Sequence, residues 1–291
     1  MRLAILGLGL MGGSLGLALS RREGWQLVGW DCEEAAIAEA LRRGAINEAA
    51  ASPAEAVATA ELVCLAVPVQ ATAGLMEAIA SHLPPDAVVT DLGSSKVQVC
   101  AWAAERLPGV SFVGGHPMAG SERAGIAAAR ADLLTGAVYV LTPGAECSSD
   151  ALARVAAMAE AAGARPLVYD AVRHDADVAL VSHLPFVLSA ALSAIAGRDP
   201  HWAESSALAA SGFRDVSRLA SGDVAMHRDI CLSNAAAIGP RLAEAGRLLS
   251  ELAEHLEDPD YLERFFAEAR QARENWLARR YPESACSSPS D

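Results

Sequence analysis

The stretch Arg2–Gly12 reads R-L-A-I-L-G-L-G-L-M-G, an apolar run followed by the pattern G-x-G-x-x-G, whose glycines are Gly7, Gly9 and Gly12. The apolar run predicts a buried strand, and the Ala/Leu-rich residues after it predict a helix. Asp31 ends the next predicted strand, 19 positions after Gly12. Glycines between a strand and a helix, with an acidic residue about 20 positions further on, are typical of a dinucleotide-binding turn.

Each glycine meets a separate requirement of dinucleotide binding. Gly7 permits the tight turn, Gly9 lets the backbone approach the pyrophosphate, and Gly12 lets the helix pack on the strand. The N–H groups at the helix N-terminus would face the phosphates. We expect Leu10 and Met11 to contact the cofactor there as well. A turn that serves packing alone is the alternative interpretation.

The residues around Asp31 bear on which dinucleotide binds. A carboxylate accepts hydrogen bonds from the ribose hydroxyls and repels a 2′-phosphate. The following C-E-E supplies no arginine to hold that phosphate. The sequence therefore favours NAD over NADP. We also expect Pro68, which ends the apolar run Leu62–Val67, among the cofactor-binding residues.

The rest of the chain divides into two patterns. Short apolar runs alternate with amphipathic runs up to about Leu167, which predicts a parallel sheet covered by helices on both faces. From Ala171 onward the pattern is helical. The sequence predicts an α/β fold, with a Rossmann-type dinucleotide-binding domain at 1–167 and an all-helical domain for substrate binding and dimerisation at 168–291.

Composition and charge exclude several classes of partner. The 291 residues carry a net charge of −13, which argues against nucleic acid and an anionic membrane surface as partners. No apolar stretch reaches the roughly 20 residues that span a bilayer. The six cysteines are scattered and show no zinc spacing, so we expect no metal site. These features predict a cytoplasmic protein.

Two polar segments are expected at the carboxyl ends of strands, where ligands bind in open α/β sheets. They are T-D-L-G-S-S-K, ending at Lys96, and G-G-H-P-M-A-G-S-E, ending at Glu122. His116 has the ordinary imidazole pKa that suits a general base near neutral pH. We expect Ser94 to be its hydrogen-bonding partner. The alternative is that His116 is a structural histidine.

Five blocks of this sequence together resemble the prephenate/arogenate dehydrogenases of tyrosine biosynthesis. In chain order they are G-L-G-L-M-G-G-S-L, V-T-D-L-G-S-S-K, F-V-G-G-H-P-M-A-G-S-E, H-D-A-D-V-A-L-V-S-H-L-P-F and S-G-F-R-D-V-S-R. They extend from Gly7 to Arg218, and G-G-H-P-M-A-G and S-H-L-P are the specific ones.

The resemblance implies oxidation of the ring C4 alcohol of prephenate or arogenate with NAD(P), with loss of the C1 carboxylate as CO₂. The product would be 4-hydroxyphenylpyruvate or tyrosine. His116 would accept the hydroxyl proton, Ser94 would bridge hydroxyl, imidazole and nicotinamide, and Arg218 would hold a substrate carboxylate. We include Lys96, Ser121 and Glu122 among the substrate-binding residues. The resemblance also implies a homodimer formed through the helical domain.

Two histidines on the first helix after the sheet match family positions that face the cleft. His174 and His183 are nine positions apart, which places them on opposite sides of an α-helix. We therefore expect His174 to contact substrate and His183 to be structural. Glu122, Asp175 and Asp215 match acidic positions that could pair around Arg218; solvated surface charges are the alternative.

One residue departs from the family pattern. Phe186 stands where some members have a histidine, and an apolar ring cannot pair with a side-chain carboxylate. This departure favours arogenate or the use of both substrates. Relatives that prefer arogenate often use NADP, whereas Asp31 indicates NAD.

Other functional classes stay open at this stage. One is a different two-domain dehydrogenase, of the β-hydroxyacid or pyrroline-carboxylate reductase type. The other is a nucleotide-sensing protein without catalysis. Of the 23 basic residues only Lys96 is a lysine. Bias towards arginine explains most of that count, but we hypothesise that Lys96 orders the active-site loop or lends it positive charge.

Overall fold

The computed structural model describes residues 1–121 and 123–280. The elements alternate strand and helix up to Val168 and are helical thereafter. The strands are β1 (Arg2–Leu6), β2 (Gln26–Trp30), β3 (Glu48–Ala49), β4 (Leu62–Leu65), β5 (Val88–Asp91), β6 (Ser111–Pro117), β7 (Val138–Pro143) and β8 (Arg165–Val168). The helices among them are α1 (Leu10–Leu19), α2 (Glu34–Arg43), α3 (Pro53–Val57), α4 (Val69–Ile79), α5 (Val97–Arg106) and α6 (Ser149–Ala161).

The strands form one sheet in the order β3-β2-β1-β4-β5-β6-β7-β8. Neighbouring strands are parallel except β6 and β7, which are antiparallel. The predicted α/β class, with a Rossmann-type sheet followed by helices, is confirmed; the sheet is mostly parallel and has one antiparallel pair. The chain between β6 and β7 contains only the 3-10 turn Ile126–Ala128 among its described residues. Without a crossover helix, β7 returns alongside β6 in the opposite direction.

Both faces of the sheet are buried, as the apolar strand sequences predict. In β1, Leu3 and Ile5 join one hydrophobic cluster, whereas Ala4 and Leu6 join the cluster on the other side. All four side chains are fully buried. Strands with this burial leave only their ends and the connecting loops available, and ligands in such sheets bind at the carboxyl ends.

The helices after the sheet are α7 (Ala171–Val178), α8 (Leu184–Arg198), α9 (Trp202–Ser205), α10 (Ser211–Ser217), α11 (Val224–Ser233), α12 (Ala235–Glu254) and α13 (Pro259–Arg280). A π-helical segment, Ala179–His183, joins α7 to α8. A small cluster around Ala179, Phe186, Ile230 and Ile238 forms the core of this part.

The chain divides into two compact units, Met1–Ile238 and the residues from Gly239 onward. The first unit contains the sheet and the helices up to the start of α12. In the second, His255 stacks on Tyr261 with ring centroids 4.4 Å apart. The division into a dinucleotide-binding domain at 1–167 and a helical domain at 168–291 therefore stays a prediction.

The expectation that no segment is long and apolar enough to span a bilayer needs a correction. The continuous helical run Ala171–Arg198 has 28 residues and meets that criterion by length and composition. The expectation failed because charged residues near the start of this run made the apolar stretch after Val178 look shorter than the helix that contains it. Core helices of globular proteins pass the same test, so length and composition alone do not indicate a membrane span.

Candidate active site

The glycine turn joins β1 to α1 at the point where the strand order reverses, between β1 and β4. Gly7 has φ +102, and a Cβ there would lie 2.5 Å from the carbonyl oxygen of Ala66. A Cβ on Gly12 would lie 2.0 Å from the carbonyl oxygen of Gly7. A Cβ on Gly9, by contrast, would have no atom within 4 Å. Gly7 and Gly12 are therefore required by packing, whereas Gly9 leaves space through which a ligand can approach the backbone.

This turn has the features that a dinucleotide requires. Gly9 is the N-cap residue of α1, and no side chain caps this helix end. Leu10 and Met11 form the first turn of the helix. Pro68 caps α4 directly after β4, the neighbour of β1 in the sheet. Ligands in such sheets bind where the carboxyl ends of two neighbouring strands diverge. The glycine turn, the first turn of α1 and Pro68, all predicted to bind the cofactor, therefore lie at the carboxyl ends of neighbouring strands of the sheet.

Asp31 is half-buried at the end of β2 and is fixed by backbone donors. Its Oδ2 accepts a hydrogen bond from the Leu8 N–H at 2.6 Å, and its Oδ1 accepts one from the Glu33 N–H at 2.9 Å. The carboxylate is thus held against the glycine turn.

Lys96 and Asp91 form a buried ion pair that joins the two predicted active-site segments. The Lys96 ammonium donates to Asp91 Oδ2 and, at 2.7 Å, to the carbonyl oxygen of Gly115. The Asp91 carboxylate also accepts from the N–H groups of Gly93 at 2.7 Å and Gly115 at 2.9 Å. Lys96 is fully buried. Because its ammonium is engaged by these partners and closed to solvent, the expectation that Lys96 contacts substrate is not supported; the side chain orders the loops.

His116 lies within β6, not in a loop as the sequence predicts. Antiparallel pairing with β7 extends β6 beyond Gly114 and places His116 opposite Val140. The Nδ1 of His116 lies 2.8 Å from the Nε2 of His174. The Nδ1 of His174 lies 2.7 Å from the Oδ1 of Asp175. The three side chains thus form a buried chain of hydrogen bonds.

The environment of His116 keeps its imidazole neutral. Burial lowers the pKa of His116 well below 6.5, and electrostatic interactions with Lys96 and with the rings of His174 and His183 lower this pKa further. A neutral imidazole with one free ring nitrogen can accept a proton at neutral pH. The predicted role as a base is compatible with this state.

His174 does not occupy the position expected of a substrate contact. It is 1% exposed, and both of its ring nitrogens are engaged, one with His116 and one with Asp175. It therefore lies behind His116, and the expectation of direct contact with substrate is not supported. Asp175 is also buried: its two oxygens accept from the N–H groups of Lys96 at 2.7 Å and Val97 at 2.9 Å, which cap α5.

The regular α-helix assumed between His174 and His183 is wrong. The π-helical segment Ala179–His183 breaks the 3.6-residue period, and both side chains are buried. Asn234 donates through Nδ2 to the Asp175 carbonyl at 2.9 Å and approaches His183 Nδ1 at 3.2 Å. Burial lowers the pKa of His183 to about 4. His183 is consequently a neutral, internal residue.

Ser94 is half-buried on the loop between β5 and α5. Within residues 1–121 and 123–280, the ring of His116 bonds to His174, and no hydrogen bond joins it to Ser94. The neighbouring Ser95 donates to Ser233 Oγ at 2.8 Å, which ties this loop to the end of α11. The structure therefore brings Ser94 to the same loop as Lys96 but leaves its predicted bond to His116 as a prediction.

The residues expected around the substrate carboxylate are on the surface. Arg218 is exposed at the start of the 3-10 turn Arg218–Ser221. Asp215 pairs with Arg214 at 3.1 Å, and both side chains are exposed. Ser121 is exposed and accepts from the Arg123 N–H at 2.9 Å, while Glu122 lies outside the described residues.

Phe186, the departure from the family pattern, is buried beside a histidine that the sequence did not single out. Its ring stacks on His227 with a centroid separation of 4.3 Å and an interplanar angle of 1°. Asp91 and Asn234 were also missed. The segment T-D-L-G-S-S-K does offer a signal for Asp91, because a lysine follows it five positions later. Nothing in the sequence pattern indicates Asn234. For the described residues, no group of three or more His, Cys, Asp or Glu is placed to hold a metal ion.

Comparison with known proteins gives consistent matches over both halves of the chain. The family described as prephenate dehydrogenase, nucleotide-binding domain, matches residues 15–168, and its dimerization domain matches residues 170–270. A prephenate dehydrogenase from Bacillus subtilis is 34% identical over 280 residues, covering 93% of this chain and 74% of that protein.

Two solved structures are also similar. The Synechocystis arogenate dehydrogenase is 31% identical, with a TM-score of 0.80, and the match covers 95% of this chain and 100% of that one. The prephenate dehydrogenase from A. aeolicus, in complex with hydroxyphenyl propionate and NAD⁺, is 28% identical with a TM-score of 0.87. That match covers 94% of this chain and 98% of the other.

Proposed function

Because this chain belongs to the prephenate dehydrogenase family, a family of NAD(P)-dependent oxidoreductases, we propose that it oxidatively decarboxylates arogenate, prephenate or both in tyrosine biosynthesis. The observation that carries the proposal is the buried, neutral His116 at the carboxyl end of the sheet. A nucleotide sensor has no use for a base held in this way, and the family matches over residues 15–168 and 170–270 argue against the other dehydrogenase types.

His116 acts as the base in this proposal. Its Nδ1 is engaged with His174, so Nε2 is the nitrogen that takes the proton of the C4 hydroxyl. The bound nicotinamide supplies the acceptor for the hydride from C4. Lys96 and Asp91 bind the backbone of Gly115 and so hold the end of the strand that carries His116. Ser94 lies on the same loop as Lys96 and bridges the substrate hydroxyl and His116. Arg218 binds a substrate carboxylate.

The cofactor is NAD in preference to NADP. Support comes from the carboxylate of Asp31, which is fixed beside the glycine turn, and from the absence of arginine in the three residues after it. Asp31→Asn removes the negative charge but keeps an acceptor. We expect the ratio of kcat/KM for NAD over NADP to fall about tenfold in this variant. An unchanged ratio would assign the preference to other residues.

The side chain of the substrate is the second specificity question. Prephenate and arogenate share a side-chain carboxylate and differ only in a keto group or an ammonium at the neighbouring carbon. The ring of Phe186, stacked on His227, donates no hydrogen bond to a keto oxygen and carries no positive charge that would repel an ammonium. This supports arogenate, or the use of both substrates. Phe186→His should then raise kcat/KM for prephenate relative to arogenate. A fall in that ratio would contradict the assignment.

A homodimer is proposed from the exposed apolar side chains of the helical run Ala171–Arg198. Val172, Val181 and Ile195 are 67%, 64% and 70% exposed. A second copy is favoured over a bilayer because the same run carries His174, Asp175 and His183, and Asp175 is already bonded to α5. Sedimentation should give a dimer in the absence of detergent. A monomer, or a protein extracted only with detergent, would overturn the proposed dimer. A cytoplasmic location follows from the proposed biosynthetic function.

Two variants test the assignment of roles. His116→Asn should lower kcat by about 10²–10⁴-fold while NAD still binds, because it removes the base but not the cofactor site. Arg218→Ala should chiefly raise KM for the substrate. An unchanged rate in the first variant would remove His116 as the base. A main loss of cofactor affinity in the second would contradict the role of Arg218.

A further inference from the structure

The hydrogen bonds behind His116 fix where its protons lie. The Asp175 carboxylate can only accept, so the Nδ1 of His174 must carry a proton. The Nε2 of neutral His174 is then an acceptor, and the Nδ1 of His116 must donate to it. This leaves the Nε2 of neutral His116 without a proton. Asp175 therefore sets the tautomers of both rings and leaves a lone pair at the free ring nitrogen of His116.

Asp175 is itself held rigidly, which makes it a suitable anchor for the chain. Its Oδ1 accepts from the Lys96 N–H and its Oδ2 from the Val97 N–H, at the N-terminus of α5. Its backbone carbonyl accepts from Asn234. The carboxylate is nearly inaccessible to solvent, with 5% of the side chain exposed. A buried carboxylate held by N–H donors stabilises a neighbouring positive charge more strongly than an exposed one does.

The proposed reaction has no net release of protons. The C4–H electron pair leaves as hydride, and the O–H pair becomes the second bond of a C4 carbonyl. When the C1–carboxylate bond breaks, its electron pair enters the ring, and the carbonyl π pair returns to oxygen. That oxygen then needs a proton again. The base must hold one proton between these steps and return it.

Resting on the proposed function, we propose that His174 and Asp175 form a proton relay that stores this proton. As the substrate proton arrives at Nε2 of His116, the proton on Nδ1 of His116 moves to Nε2 of His174, and both return when the product oxygen is reprotonated. His174 and Asp175 touch neither substrate nor cofactor; they are positioning residues that act through His116.

The surrounding charges favour this direction of transfer. The groups that face His116 are His174 from α7, Lys96 from the loop before α5, and His183 from the π-helical segment. A positive charge left on His116 would lie near the Lys96 ammonium. On His174 the same charge is bonded directly to the Asp175 carboxylate. The relay therefore moves charge away from a cation and towards an anion.

The first test needs no turnover. ¹⁵N NMR of the histidine rings at neutral pH, with neither substrate nor cofactor added, distinguishes protonated from bare nitrogens. The relay predicts a proton on Nδ1 of both His116 and His174, and a mixture of tautomers in Asp175→Asn. The matched control is Asp177→Asn, on the same helix, whose carboxylate accepts from Tyr169 and Arg173. A proton on Nε2 of His116 in the wild-type protein would overturn the proposal.

The second test follows hydride transfer in a single turnover in mixtures of H₂O and D₂O. Two protons moving together give a curved dependence of rate on the deuterium fraction. His174→Gln keeps hydrogen-bonding atoms but cannot carry the proton, so the dependence should become linear and the rate should fall about 10²-fold with little change in KM. A linear dependence in the wild-type protein would overturn the relay. Absence of turnover with either substrate would refute the proposed function, while the NMR result would still decide the tautomers.

If Asp175→Asn fails to fold because α5 loses its cap, His174→Phe carries the NMR measurement and His174→Gln the isotope measurement. Phenylalanine removes the acceptor that faces Nδ1 of His116, so the NMR experiment should show His116 in mixed tautomers. A single Nδ1–H tautomer of His116 in His174→Phe would show that this chain of hydrogen bonds does not set it, and would contradict the proposal.

Discussion

Removing the ammonium of Lys96 should destabilise the protein far more than removing a surface cation. Lys96→Met leaves the Asp91 carboxylate, only 2% exposed, with two backbone N–H donors and no counter-ion. Gly115 loses the ammonium bonded to its carbonyl oxygen. Breaking a buried ion pair by removing one partner costs about 3–5 kcal/mol. At about 2–4 °C per kcal/mol for a unit of this size, Tm should fall by about 6–20 °C.

The matched control is Arg154→Met. Arg154 pairs with Asp150 at 2.7 Å on the surface of α6, and the two side chains are 31% and 68% exposed. Such a pair contributes about 0.3–0.5 kcal/mol. Denaturant unfolding of both variants, followed by circular dichroism, measures the difference directly. A loss of less than about 1 kcal/mol in Lys96→Met would refute the account of Lys96 as the ion that joins the two loops.

Arginine should not replace Lys96. The guanidinium is wider than the ammonium, and Lys96 is fully buried. Forcing a larger side chain into a packed interior costs about 1–3 kcal/mol. We therefore expect Lys96→Arg to lower both stability and turnover. Wild-type stability and kinetics in Lys96→Arg would leave the single lysine of this arginine-rich chain to chance.

Changes at the glycine turn, at His183 and at Asp175 test three further parts of the structure. Gly12→Ala should cost about 1–3 kcal/mol of stability, because its Cβ would lie 2.0 Å from a carbonyl oxygen, whereas Gly9→Ala should keep stability and weaken NAD binding about tenfold; calorimetry measures both. Burial lowers the pKa of His183 from 6.5 to about 4, so between these values the unfolded chain binds the extra proton. Stability should therefore fall as the pH drops from 6.5 to 4, by up to about 3 kcal/mol, and His183→Asn should reduce that loss in unfolding experiments at pH 7 and 4.5. Asp175→Asn removes a negative charge near His116, so the apparent pKa on the acid side of the pH profile of kcat/KM should fall by about one unit. An unchanged apparent pKa would argue against electrostatic coupling between Asp175 and His116.

The parts of the site that sequence predicted are those encoded by short-range patterns. The glycine turn and Asp31 belong to one β-α-β segment, in which spacing alone determines the geometry. His116 could be placed at the edge of the sheet because strand ends of a parallel sheet converge. Its position inside β6 was missed, because that extension depends on pairing with β7 rather than on local residues.

The remaining features depend on contacts between distant positions. His116 meets His174 across 58 positions of the chain, and Asn234 meets Asp175 across 59. No spacing rule indicates such pairs in a single sequence. The π-helical segment before α8 also has no clear sequence signal, so a helical period of 3.6 could not predict the direction of His183. Lys96 was recognised as unusual by its chemistry, but its burial follows only from packing.

The central claim is that this protein makes tyrosine or its keto-acid precursor by an oxidative decarboxylation in which His116 is the base. The most direct measurement is reduction of the nicotinamide, followed by absorbance, with arogenate and prephenate each combined with NAD and NADP. We predict reduction with at least one substrate, faster with NAD than with NADP, and loss of that rate in His116→Asn. No reduction in any of the four combinations would contradict the account.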